Sequence, residues 1–184
     1  PSIAPHLWAE LKYLRERKQS KHKQAKRQDL KRYVACYSKP ERLMKEMGTE
    51  ITLIFRSSAC SWTHSKSGGC TMCGYWNDRA TEDITDEDLW IQFNSALEKS
   101  EPILQDDSQK IVFKMFTSGS FCDPREFSVD LQIKILKNLQ NYPTIKEIVV
   151  ESRPQFITQD LLSQYAKLYT NSDVYLEIAM GLET

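Results

Sequence analysis

The chain predicts an α/β fold with a parallel sheet, and three observations carry the prediction. Strand-length apolar runs recur at 51–56, 111–117, 145–151 and 174–180. Segments with helical spacing separate them, and every run ends in a chemically distinctive loop. That alternation is the signature of βα units, in which parallel strands are joined by helical crossovers.

Each element follows from its own residues. Ile51 to Arg56 reads as a buried strand, and Thr85 with Asp88 forms a capping-box pattern that opens a helix carrying Leu89, Phe93, Ala96 and Leu97 on one face. Ile111 to Thr117 is the second strand and Val129 to Leu139 the second helix. Ile145 to Glu151 is a third, β-branched run. Thr158 then caps a helix with Leu161, Tyr165 and Leu168 at helical spacing, and Val174 to Met180 is the fourth strand.

At 184 residues and 40% apolar, the chain suffices for one compact domain with a sizeable core. Its apolar runs are too short to span a membrane, and the N-terminus has no apolar secretory segment, so the expected compartment is cytoplasmic. Five cysteines in that compartment argue against disulfides. Cys36 and Cys122 read as small buried hydrophobes.

Net charge is zero but unevenly spread. Residues 11 to 32 carry ten Lys or Arg against two acidic residues, so a polyanion is the natural partner of this stretch, which alternatively is a solvated helix face.

Cys60, Cys70 and Cys73 lie in the loop SSACSWTHSKSGGCTMCGYW directly after the first strand. Soft thiolates select zinc or iron–sulfur clusters, and three of them leave one coordination position open. Either a [4Fe–4S] cluster keeps one iron free, or His64 completes a closed Cys₃His zinc site in a non-catalytic RNA-binding module. Spacing alone does not choose between them.

The other strand ends are polar too. Thr117-Ser118-Gly119-Ser120-Phe121 lets a ligand approach the backbone closely, or is an ordinary turn. Glu151 and Arg153 could hold the amino and carboxylate groups of an amino-acid-like ligand, or form a structural ion pair. Glu177 faces the same rim or pairs with a lysine of the sheet.

GCTMCGY, FTSGSF, ESRPQFIT and LEIAMGLET together resemble the radical S-adenosylmethionine superfamily, in particular its elongator-like branch and the archaeosine-forming members of that branch. The spacing C-x9-C-x2-C is similar to that branch rather than to the commoner C-x3-C-x2-C. The resemblance implies a partial TIM-like barrel over residues 49–184, ending after strand four with the remaining strands on another segment, and preceded by a basic helical arm over 1–48. It implies that Cys60, Cys70 and Cys73 hold a [4Fe–4S] cluster that binds S-adenosyl-L-methionine. Ser118, Gly119, Ser120, Glu151, Arg153 and Glu177 would line that cofactor, and the backbone of Met72 would meet its adenine. The implied activity is a 5′-deoxyadenosyl radical that cleaves the lysine C–N bond of a lysine-modified 7-deazaguanine in tRNA to form archaeosine, or another tRNA modification of the same branch. The implied partners are tRNA, held by the basic arm, the lysine-transferring archaeosine synthase subunit, and an electron donor.

Overall fold

The computed structural model describes residues 29–44, 46–65, 69–70 and 73–181, together with 6, 7, 9, 10, 13 and 14. Lys21, Lys23, Lys26 and Arg27 of the basic stretch lie outside the described residues, as do Met72, Glu183 and Thr184. Strands β1 (Ala35–Arg42), β2 (Met47–Ile54), β3 (Ile111–Phe116), β4 (Ile145–Glu151) and β5 (Tyr175–Ala179) form one sheet in the order β1-β2-β3-β4-β5. Helices α1 (Asp86–Leu104), α2 (Val129–Leu139) and α3 (Gln159–Tyr169) follow β2, β3 and β4 in turn.

β2 to β5 are parallel neighbours, whereas β1 pairs antiparallel with β2. Register sorts the side chains by face, because successive residues of a strand point to opposite sides. One row runs Cys36, Leu53, Met115, Val150, Ile178, and another runs Ile51, Phe113, Ile148, Leu176. These rows join one core with Leu89, Phe93, Ala96 and Leu97 of α1, Leu131, Ile135 and Leu136 of α2, and Leu161 and Tyr165 of α3. All three helices therefore pack on one face. Rows Tyr37, Thr52, Lys114, Val149, Glu177 and Lys39, Glu50, Val112, Glu147, Tyr175 occupy the other.

Helices α1 and α3 start where the sequence places their caps, and α2 starts at a cap, Ser128, that the structure adds. Thr85 Oγ1 accepts from the Asp88 N–H (3.2 Å), and the Asp88 carboxylate accepts from the Thr85 N–H (3.1 Å). Ser128 and Thr158 cap α2 and α3 by accepting from the Leu131 and Leu161 N–H groups. Each cap satisfies a backbone donor that has no partner within its own helix.

The expected TIM-like barrel is corrected. Neighbouring strands of a TIM-like barrel are all parallel, whereas the expected partial barrel is, among the described residues, a five-stranded sheet whose first strand runs against the others. β1 was not anticipated from the sequence. It falls in the stretch expected to be a helical arm, and its composition, ACYSKPER, is polar and contains Pro40, both suited to an edge strand. Among the described residues, no helix is long and apolar enough to cross a membrane.

Phe113 is fully buried in the middle strand and meets Phe93 of α1 edge-on, with centroids 6.4 Å apart. Phe113→Ala is expected to lose about 3–5 kcal/mol of stability. Thr85→Ala, which removes only the cap of α1, is expected to lose about 1 kcal/mol. Urea denaturation of the two variants beside the parent checks both values and their order.

Candidate functional site

Parallel pairing brings the C-terminal ends of β2, β3, β4 and β5 to one rim of the sheet, the usual place for ligands in open α/β sheets. Backbone bonds carry the pairing past the strand ends. The Phe55 N–H donates to the Phe116 carbonyl (2.8 Å), the Phe121 N–H to the Glu151 carbonyl (2.9 Å), and the Ser152 N–H to the Ala179 carbonyl (2.9 Å). The Arg153 N–H donates to Ser120 Oγ (3.2 Å). The 118–120 turn thus adjoins Glu151 at the end of β4 and Arg153 just beyond it.

The cysteine loop leaves β2 through Ala59, which holds φ at 77°, a left-handed conformation unusual for alanine, directly before Cys60. A turn follows in which the Thr63 N–H donates to the Cys60 carbonyl (2.9 Å) and Cys60 Sγ lies 2.9 Å from Thr63 Oγ1. Gly69, at φ 88°, packs on Thr63 so closely that a Cβ there would stand 3.1 Å from the Thr63 Cα. The next residue, Cys70, opens a second turn closed by the Cys73 N–H (3.3 Å). Two turns bearing the three thiols therefore adjoin. His64 Nε2 lies 2.7 Å from the Ser58 carbonyl oxygen.

The donor chemistry suits a thiophilic metal, but the geometry described does not close a site. No three His, Cys, Asp or Glu side chains among the described residues gather closely enough to hold a metal ion. Cys60 and Cys73 are half-buried and Cys70 is exposed. Cys36 and Cys122 are buried apart from them, Cys122 beside the Tyr165 hydroxyl (3.9 Å).

Beyond Cys73 the chain turns over the rim. Burial and the neighbouring Glu151 and Cys73, with Tyr37 of β1, push the Tyr75 hydroxyl above its ordinary pKa. Cys73, Tyr75 and Glu151 therefore share one electrostatic environment at the end of β4. With the Gln155 amide turned so that its oxygen faces a donor, the Arg153 guanidinium meets that oxygen (2.9–3.2 Å); it also stands 6.0 Å from the Phe156 ring centre, so it is engaged with the turn after β4. Glu177 is exposed on the face that α1, α2 and α3 do not cover. It lines a groove of about 490 Å³ with Glu41, Lys114, Phe116, Glu147 and Val149. Lys114 bonds Glu50 at 2.7 Å; burial alone would raise the Glu50 carboxyl, but Lys114 and Thr52 hold it below the usual carboxylate range.

Glu126 is the residue that sequence reasoning missed. It is only 6% exposed, in the turn between Phe121 and α2. Its Oε1 accepts from the Ser120 N–H (3.0 Å), and its Oε2 from the hydroxyls of Ser57 (3.1 Å) and Thr117 (3.4 Å). Thr117 Oγ1 in turn accepts from the Gly119 N–H (2.7 Å). Burial pushes the Glu126 carboxyl up to about 8, against the opposing pull of Ser120 and Ser57. The one sequence signal was a glutamate amid DPREFS, indistinguishable there from a surface loop charge.

No family model matches the chain, and no solved structure matches it. Three curated relatives do. An uncharacterized protein of Methanocaldococcus jannaschii is 39% identical over 138 residues, 75% of this chain and 36% of the relative. The archaeosine synthase subunit beta of Methanosarcina acetivorans is 38% identical over 134 residues, 73% of this chain and 36% of the relative. That of Thermococcus kodakarensis is 29% identical over 137 residues, 74% of this chain and 40% of the relative. The chain thus spans 36–40% of the length of these relatives. Placement in the radical S-adenosylmethionine superfamily is corrected accordingly: no model of any family takes in the chain, and the named relatives are archaeosine synthase subunits beta.

The Glu126 pKa has a definite sign. A carboxyl raised from 4.5 to about 8 by folding contributes stability that is complete below about 4.5 and is lost as pH rises through 8. Thermal melts from pH 5 to 9 should therefore show a decline in the parent that Glu126→Gln lacks. Parallel pH profiles would show that another group titrates.

Proposed function

We propose that this chain acts in the archaeosine modification of tRNA, as part of a subunit of the kind named archaeosine synthase subunit beta. The observation that carries the reading is the 38% identity to the Methanosarcina acetivorans subunit across 73% of the chain. The finer proposal is an enzyme that cleaves the lysine C–N bond of a lysine-modified 7-deazaguanine and leaves the formamidine nitrogen on the base. Its partners are tRNA, the lysine-transferring subunit of archaeosine synthase and an electron donor.

The proposed cofactors are a [4Fe–4S] cluster on Cys60, Cys70 and Cys73 and S-adenosyl-L-methionine beside Ser118, Gly119, Ser120, Glu151, Arg153 and Glu177. Three thiols on adjoining turns support the first assignment, and the shared rim of the 118–120, 151 and 153 loops supports the second. Such a pair supplies hydrogen-abstracting chemistry that side chains lack. The chain's own part is to position substrate. The buried Ser120 fixes the backbone of Arg153, and the half-buried Glu151 offers a carboxylate to a cationic group at the strand end. The ten basic residues between 11 and 32 are proposed to meet tRNA phosphates.

The test uses the protein containing this chain, reconstituted anaerobically with iron and sulfide, then given S-adenosyl-L-methionine, a one-electron donor and tRNA bearing the lysine-modified base. Nucleoside mass spectrometry should show archaeosine forming, with none from Cys70→Ala. Conversion that survives Cys70→Ala removes the cysteine assignment. A colourless protein that holds one zinc and leaves the base unchanged overturns the enzymatic reading.

A further inference from the structure

We propose that Glu126 is a positioning residue that couples the Thr117–Ser120 turn to the root of the cysteine loop, so that the two loops keep one relative placement. The inference goes beyond the proposed function and depends on no cofactor or substrate.

Ser57 is the hinge of the argument. It lies three residues before Cys60, is fully buried, and gives its hydroxyl to Glu126 Oε2. Its carbonyl accepts from the Ala80 N–H (2.7 Å), on the far side of the cysteine loop. Ser57 therefore ties the two ends of that loop together, and Glu126 holds Ser57. The other carboxylate oxygen holds the Ser120 N–H, so one side chain bridges loops that leave two different strands.

The approach is unusually close. A Cβ at Gly119 would fall 1.9 Å from Glu126 Oε1 and 2.1 Å from Oε2. Gly119 does not have a positive φ, so the glycine answers to the space that the carboxyl fills and not to a backbone requirement. The carboxyl itself is firmly mounted. The Glu126 and Phe127 N–H groups both donate to the Asp123 carbonyl, and Phe127 is buried against Phe55 and Phe121 with ring centres 5.1 and 5.2 Å away. A rigid mount, a bridge between two loops and a neighbour trimmed to glycine are what positioning requires. A carboxyl serving only its own turn would need none of the contact to Ser57.

Amide hydrogen exchange of the full chain tests this. Glu126→Ala should speed exchange about tenfold or more in peptides covering both 56–60 and 117–121, while 111–116 and 148–150 keep their protection. Glu126→Gln, which keeps the shape and can donate to Ser57, should stay within about twofold of the parent. Gly119→Ala should be destabilising in the parent and much less so when combined with Glu126→Ala, a non-additivity that direct contact demands. Faster exchange confined to 117–121, or additive effects of the two substitutions, overturns the proposal. Should Glu126→Ala not fold, Ser57→Ala reads the bridge from its other end: faster exchange at 117–121 supports it, and unchanged exchange there overturns it.

Discussion

The parallel register of β2 and β3 is the constraint on which the rest depends. Ile51 opposite Phe113 and Leu53 opposite Met115 put four apolar side chains on the helix-covered face at once. A slip of β3 by one residue would send Phe113 and Met115 to the other face and put Lys114 under the helices, at a loss of about 1.5–3 kcal/mol for each misplaced apolar side chain. Because β4 and β5 continue the same direction, the register also decides where the loops emerge. The rim follows from the core.

At that rim the structure trades burial for definition. Glu126 is a carboxyl withdrawn from water, which is unfavourable for its charged form, and three donors from two loops surround it. Half-satisfied, such a group would destabilise the fold; fully ringed with donors, it fixes its neighbours in one arrangement. Asp123 next to it is also fully buried and is met by a two-pronged contact from Arg125, at 3.0 and 2.9 Å. Two acidic groups thus lie within four residues of chain, one balanced by a guanidinium and the other by hydroxyl and amide donors alone. Burial raises the carboxyl of the second.

Sequence pattern carried the fold wherever a periodicity or a cap expressed it. Ile111–Phe116 and Ile145–Glu151 are strands because β-branched and aromatic runs need a pleated, buried surface, and Thr85, Ser128 and Thr158 head helices because their hydroxyls satisfy free amides. β1 escaped because only Cys36 of its eight residues is buried, which leaves no alternation to read. The barrel came from motif resemblance and not from strand pairing, and pairing is what makes or opens a barrel. The cysteines were legible by type and spacing, yet spacing fixes only the contour length between them. The placing of Gly69 on Thr63 is tertiary. Glu126 was illegible for a related reason: its partners Ser57 and Ser120 are 69 and 6 residues away, and no local pattern marks a charge that folds inward.

The face that α1, α2 and α3 leave uncovered is not uniform. On it Leu43, Val112 and Val149 form a small apolar cluster, with the partly buried Ala179 against it. Glu50, the register partner of Val112, is only 4% exposed by side chain and is bonded to Lys114 and Thr52. Against the opposing effect of burial, Lys114 and Thr52 hold its carboxyl below the usual range, and Glu50 and Glu41 hold the Lys114 ammonium above its own, so the pair favours its charged form. Parallel sheets are generally covered on both sides, and an apolar cover would have to strip water from Glu41, Glu147 and Glu177 as well. Desolvating these carboxylates is far less favourable than burying Val112 and Val149 is favourable. The side-chain chemistry of this face therefore suits a polar, hydrated groove in which Leu43, Val112, Val149 and Ala179 share the lining with the carboxylates of Glu41, Glu147 and Glu177.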